Sequence, residues 1–328
     1  MNSIKSKMVA IFATNPGSGV KSIAMFAMLA GTLISGATFS QLFPIKPIRM
    51  VVPLSPGPGP DEVARLIARS MTDSIGQPVV VENRPGATGI IGADYVAKSA
   101  ADGYTIVLAT SSTHVTAKFL VKNLPYDPVK DFTPITAAVE PVTCIALHPS
   151  VPANTVREFI DYAKSNPGKL AYGSPGVGSV FHLIGESLNM LIGLDMVHIP
   201  YKGVVPAMSD LVAGQIPVTF ISAANAIPFM RVGKARIIAV LESSRYSRLP
   251  EIPTVGETLS GFVKPPSWFG FFGPAGLPPQ VTARLNSEIV KAVNSRKLRA
   301  PFDERLLSVI AVHAACVKRQ IASTVRNA

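Results

Sequence analysis

Cysteine is nearly absent. Among 328 residues only Cys144 and Cys316 occur, which excludes a disulfide-stapled scaffold and a four-cysteine zinc site. Charge is also scarce, at 16% against 48% hydrophobic residues; that balance excludes wholesale disorder. The five histidines (His114, His148, His182, His198 and His313) are scattered, with no H-x-x-x-H or H-E-x-x-H pair. No metal site is therefore legible, and nothing in the sequence calls for a cofactor. G-x-x-x-x-G-K-[ST] is missing, so a nucleoside triphosphate is not implied. Beyond residue 39 no apolar run is long enough to span a bilayer.

What is present begins with length. A chain of 328 residues corresponds to about two domains, ample to bury real cores. The 29 prolines and 25 glycines show no repeat period, so they punctuate many short elements. The net charge of +11 is carried mostly by the ends: residues 1–37 hold +3 and residues 291–328 hold +6, leaving +2 for the body. Basicity confined to the ends is not the footprint of a nucleic-acid surface, and no nucleic-acid partner is expected.

Lys21 precedes an uncharged stretch, Ser22 to Phe39, that passes Ser35-Gly36-Ala37. A basic start, an apolar core and a small-residue exit make up a secretory signal, removed after residue 37. The competing reading is a membrane anchor, since about 18 apolar residues just span a bilayer. Gly31, Gly36 and several hydroxyl residues weigh against it. No cysteine follows, so a lipoprotein anchor is not indicated. The mature chain is expected to be soluble and periplasmic. There Cys144 reads as buried, and whether it pairs with Cys316 is open.

From Ile48 onward short β-rich runs alternate with amphipathic helices. Strands are expected at 48–54, 79–81, 105–108, 144–147, 170–172, 196–199, 218–221, 235–241 and 268–272. The first helix, Asp61 to Ile75, carries Val63, Leu66, Ile67 and Met71 on one face. Thr155 with Glu158 forms a capping box that opens a helix through Ser165. Repeated strand–helix units predict an α/β protein whose helices cover mainly parallel sheets. In such sheets ligands bind in the loops beyond the strand ends.

Three such loops stand out. The first, Leu54 to Asp61, offers Ser55, Gly57 and Gly59 before a helix, where backbone N–H groups and the helix dipole favour an anion. Asp61 reads either as an N-cap or as a ligand contact. The second, Tyr172 to Ser179, supplies Ser174, Gly176, Gly178 and Ser179, with His182 at the third helical position. It is neither a dinucleotide fingerprint nor a G-x-S-x-G elbow, and Ser179 again reads either as a cap or as a contact. The third, Leu108 to His114, is a hydroxyl cluster with Thr110, Ser111, Ser112 and Thr113. Together the three loops point to a small carboxylate or other anion. No Ser–His–acid set can be read from spacing, which leaves a periplasmic α/β hydrolase as the weaker alternative.

A series of motifs runs in order along the chain: Pro47-Ile-Arg-Met-Val-Val-Pro53, Gly76-Gln-Pro-Val-Val-Val-Glu-Asn-Arg-Pro-Gly-Ala87, Ala101-Asp-Gly-Tyr-Thr105, Leu124-Pro-Tyr-Asp127, Lys130-Asp-Phe132, Asn166-Pro-Gly-Lys-Leu170, the 173–179 loop, His198-Ile-Pro-Tyr-Lys-Gly203, Pro253-Thr-Val-Gly-Glu257 and Trp268-Phe-Gly-Phe-Phe-Gly-Pro274. This series, spanning roughly residues 44–300, closely resembles the Bug family, the extracytoplasmic solute receptors of tripartite tricarboxylate transporters. The resemblance implies a two-lobed type II periplasmic-binding-protein fold that closes like a Venus flytrap. Lobe 1 would be residues 44–142 plus 262–328, and lobe 2 residues 143–261. It further implies a monomeric receptor, not an enzyme. Such a receptor holds a small carboxylate between backbone amides of Ser55 to Asp61 and hydroxyls of Ser174 to Ser179. Thr110 to Thr113 and the segment 221–225, with Ser222, would form the remaining walls. Its partner would be the membrane permease, or alternatively a signalling protein. The chain departs from the family at three places. Pro58 separates two glycines that are usually adjacent, removing one amide donor. Ile221 replaces a residue that is commonly polar. Beyond Ala300 the usual terminal helix is not recognisable, so a weakened cover on lobe 1 is expected.

Overall fold

In the computed structural model residues 43–313 are described. The expected leader, residues 1–37, and Cys316 lie outside the described residues. The described residues from Pro44 onward belong to one compact unit, built on two sheets.

The first sheet starts with β1 (Ile48–Val52), whose apolar run predicts a strand buried on both faces; four of its five residues are buried. Helix α1 (Pro60–Ile75) follows and buries Val63, Ala64, Ile67, Ala68 and Met71 on one stripe. It carries the chain over to β2 (Val79–Asn83), and α2 (Ile90–Ala97) carries it back to β3 (Thr105–Thr110). Strand β1 lies between β2 and β3, parallel to both. Each crossover therefore contains a helix, as a parallel connection requires. A π-helical turn at Ser112–Thr116 and a short helix, α3 (Ala117–Leu120), lead to β4 (Phe132–Pro141).

From β4 only Val142 separates the chain from β5 (Thr143–Leu147), the first strand of the second sheet. Helix α4 (Val156–Ser165) begins where the capping box predicts. Thr155 Oγ1 accepts from Glu158 N–H (3.1 Å), while the Glu158 carboxylate accepts from Asn154 N–H (2.7 Å), one residue before the cap. Then come β6 (Ala171–Ser174), α5 (Val180–Ile192), β7 (Val197–Pro200), α6 (Val204–Val212), β8 (Val218–Ser222), α7 (Ala223–Arg231) and β9 (Arg236–Val240). The second sheet has the order β7-β6-β8-β5-β9. Phe159, Tyr172, Ile184 and Phe220 pack in one of its apolar clusters, and Cys144, Leu211, Ile221 and Val240 in another. Cys144 is thus a buried thiol.

The chain returns through β10 (Phe269–Pro274), α8 (Pro279–Val293), α9 (Arg296–Glu304) and β11 (Leu307–His313), completing the order β11-β4-β10-β3-β1-β2. The expectation of mainly parallel sheets is corrected. β10 runs antiparallel to β3 and β4, β11 is antiparallel to β4, and β5 is antiparallel to β8 and β9. Strands β5 and β10 enter from the neighbouring sheet rather than over a helix, so nothing forces them parallel. The expected loss of cover after Ala300 is also not met over residues 301–313. Phe302 and Leu306 are buried, and β11 pairs with the edge of β4.

Candidate functional site

The first loop keeps its chain direction through glycine. Gly57 (φ 140°) and Gly59 (φ 95°) adopt backbone conformations that side-chain-bearing residues take only under strain. Gly59, not Asp61, stands at the N-cap of α1, with no side-chain cap; Pro60, whose fixed φ suits a first helical turn, starts the helix. Asp61, one residue further in, is buried. Its Oδ2 accepts from Gly57 N–H (3.2 Å) and Arg65 Nε (3.1 Å), and its Oδ1 accepts from Asn83 Nδ2 (2.9 Å). Burial alone would raise its pKa; the bonds from Arg65, Asn83 and Gly57 outweigh this and hold it below the usual value. The carboxylate is therefore a brace that ties the loop to β2 and takes up the Gly57 amide. Ser55 is exposed on the loop.

The hydroxyl cluster is not a loop. β3 continues through Thr110, and Ser112 to Thr116 form the π-helical turn. Thr110 Oγ1 is buried with no hydrogen-bond partner, while Thr113 Oγ1 donates to Thr110 O (2.9 Å). Ser111 is buried and Ser112 half-buried. His114 points into the core: its ring lies 4.4 Å from Phe132 and 4.3 Å from Phe272. Burial pushes its pKa down to about 3, so it is neutral.

Sequence reasoning missed the segment that locks these two pieces together. Ala87 (φ 47°) and Thr88 (φ 53°) are left-handed although neither is glycine, the kind of strain that gathers at ligand clamps. A side chain at Gly89 would meet Thr113 Cγ2 at 2.6 Å, and one at Gly92 would meet Pro53 Cα at 2.7 Å. The glycines thus let 86–92 pack against both neighbours. Gly86 and Gly89 bracketing Ala87-Thr88 were the signal that could have pointed there.

In the second sheet, Ser174 ends β6 and is fully buried. Its Oγ lies 2.7 Å from His198 Nε2 and accepts from Gly176 N–H (3.3 Å) and from Ser179 Oγ (3.4 Å). Ser179 caps α5, accepting from His182 N–H (3.2 Å), so the cap reading of Ser179 holds. The His182 ring accepts from Gly178 N–H at Nδ1 (3.3 Å) and lies 4.1 Å from the His198 ring. His198, on β7, is the second residue the sequence reading passed over; it lies 24 positions from Ser174, and only the β6–β7 ladder joins them. The Ser174–His198 contact is not a hydrolytic centre. The nearby Glu186 carboxylate, the acid such a centre would need on its imidazole, instead accepts from Tyr172 Oη (2.5 Å).

The two groups of segments touch. Thr88 Oγ1 donates to Val177 O (3.0 Å), and a side chain at Gly178 would meet Leu120 at 2.9 Å. Ser222 lies at the N-terminus of α7, its Oγ accepting from Asn225 Nδ2. Ile221 packs into the core of the second sheet and is wholly buried. Among the described residues no group of three or more His, Cys, Asp or Glu is placed to hold a metal. No described helix is long and apolar enough to cross a membrane.

Two α/β sheets joined by direct crossings, with small-residue loops from each in contact, define a two-lobed solute-binding receptor. The chain belongs to the tripartite tricarboxylate transporter family of receptors, whose family model matches residues 63–328. It is 35% identical over 282 residues to the BugT protein of Bordetella pertussis, covering 85% of this chain and 86% of that one. An R. palustris structure with adipate superposes with TM-score 0.82 at 30% identity, covering 87% of this chain and 95% of the other. MatC from Rhodopseudomonas palustris with bound malate superposes with TM-score 0.80 at 30% identity, covering 87% and 98%. The chain is a receptor of this family, not an enzyme.

Proposed function

We propose that the mature protein is a periplasmic receptor that binds one small carboxylate between its lobes and hands it to a permease of the tripartite tricarboxylate type. The lobes would be residues 44–142 plus 262–328 and residues 143–261, and export would remove residues 1–37. The observation that carries the reading is that both loops, 54–61 and 173–179, end strands and start helices without Lys or Arg. They offer amides and hydroxyls, the donors that suit a carboxylate at a helix N-terminus. Similarity to receptors solved with adipate and with malate supports the ligand class. The seat would use Ser55, Gly57, Gly59 and the Asp61 brace from one side, and Ser174, Gly176, Gly178, Ser179 and His182 from the other. Thr110, Ser111, Ser112 and Ser222 would form its walls, and the unpartnered Thr110 hydroxyl is the group freest to meet a ligand.

A thermal-shift screen of mono- and dicarboxylates, malate and adipate included, tests this directly. A ligand present at 100 times its Kd should stabilise the protein by about 2.7 kcal/mol. If no carboxylate in the panel raises the midpoint, while another class of solute does, the ligand class is wrong.

A further inference from the structure

The polar groups of the 174–179 loop are consumed by two imidazoles. His182 Nδ1 accepts the Gly178 amide, so that nitrogen carries no proton. Ser174 Oγ has two lone pairs, and they face Gly176 N–H and the Ser179 hydroxyl. Its own proton has two acceptors in reach, Gly176 O at 3.1 Å and His198 Nε2 at 2.7 Å, and it goes to the nearer of them, His198. Both rings thus act as neutral acceptors, and in that state the loop turns its Gly176 and Gly178 amides inward.

A proton on either ring reverses this. On His182 Nδ1 it leaves the Gly178 amide without its acceptor. On His198 Nε2 it makes that nitrogen a donor to Ser174 Oγ, which must then release Gly176 N–H or the Ser179 hydroxyl. The rings lie 4.1 Å apart, so like-charge repulsion lets only one of them hold a proton readily. The titratable groups that face the pair are Tyr172 of β6, stacked 5.0 Å from His198, Glu186 of α5, and each imidazole for the other.

We propose that His182 and His198 make anion capture at this loop proton-linked: one proton on the pair frees glycine amides for an anion, and the bound anion retains that proton. This rests on the reading of the loop as part of the carboxylate seat. Burial and the neighbouring ring hold His198 down at about 4, and burial lowers His182 against the upward pull of Glu186. The ligand-free pair is accordingly neutral at pH 7, with its proton still to be gained.

Nitrogen–proton NMR spectra of the mature protein across pH 7.5 to 4 test the switch without any ligand. The Gly176 and Gly178 amide resonances should titrate in step with the imidazoles. His182→Gln, which keeps an acceptor for Gly178 but takes no proton, should abolish the Gly178 response; His182→Asn serves if the first variant folds poorly. Saturating malate should move the imidazole midpoint upward by about one pH unit, a tenfold preference of the anion for the protonated protein. Glycine amides that stay still while the imidazoles titrate would overturn the switch. Bound malate that leaves the midpoint unmoved would overturn the linkage. If neither malate nor adipate perturbs any resonance at any pH, the carboxylate reading fails, and the amide titration alone still decides the switch.

Discussion

His114 shows how one residue can belong to a candidate loop by sequence and to the core by structure. Its imidazole fills a box of Tyr126, Phe132 and Phe272, with Nε2 buried and unpartnered. The folded pKa of about 3 lies below the ordinary 6.5, so the unfolded chain binds this proton first as pH falls. Stability from this group is complete above pH 6.5 and declines from there toward pH 3, by at most about 1.4 kcal/mol per pH unit. Replacing it by phenylalanine keeps the aromatic packing and removes the proton. Urea unfolding at pH 6.5 and pH 5 should show His114→Phe losing about 1.6 kcal/mol less than wild type. Parallel losses in the two proteins would mean that His114 is not held neutral.

At the scale of elements, the strands with clear apolar runs were legible, whereas β4 and β11 were not. β4 contains Pro134 and Pro141 and shows no clean alternation, the features that normally argue against a central strand. It forms nonetheless because β10 and β11 flank it on both sides. β11 begins after Leu306, which is left-handed at φ 49° and buried in a cluster with Val142, Leu249 and Ile252. The Leu306 carbonyl accepts from Val142 N–H (3.0 Å) at the crossing between the sheets. Truncation after Arg305 should therefore destabilise the protein by at least about 2 kcal/mol, the burial of one leucine. That corresponds to a fall of roughly 4–8 °C in melting temperature. An unchanged midpoint would show that the strand adds nothing to the fold.

At the scale of the whole molecule, the two crossings are fastened to each other by charge. Lys264 Nζ donates to Glu140 Oε1 (2.8 Å), Glu242 Oε1 (2.8 Å) and Ser267 Oγ (3.0 Å). Glu140 lies in β4, while Glu242 follows β9 and also accepts from Thr143 N–H (3.0 Å). One largely buried ammonium thus joins a carboxylate near the end of the first sheet to one from the second, at the place where the chain passes between them. Lys264→Met would leave two carboxylates facing each other. The expected loss is about 3 kcal/mol, the low end for a broken buried pair because Glu140 is 32% exposed. Chemical denaturation measures it; a loss below about 1 kcal/mol would place the network among ordinary surface pairs.

Local patterns were enough for the sequence to determine the α/β class, most strands of both sheets, the capping box at Thr155 and the family. Each depends on residues within a few positions of one another, or on motifs in fixed order. The clustering of small polar residues at 54–61 and 173–179 was visible for the same reason, because strand-to-helix loops are local. Only the tertiary structure decided what those residues do to each other. It turned Asp61 from a cap into a brace with Asn83, 22 positions away. It buried His114, set His198 on Ser174, and bonded Thr88 to Val177 across 89 positions. It also reversed β5, β10 and β11 relative to a parallel scheme. Strand direction, burial and long-range hydrogen bonds are set by which surfaces meet when the sheets assemble, and no window of neighbouring residues contains that information.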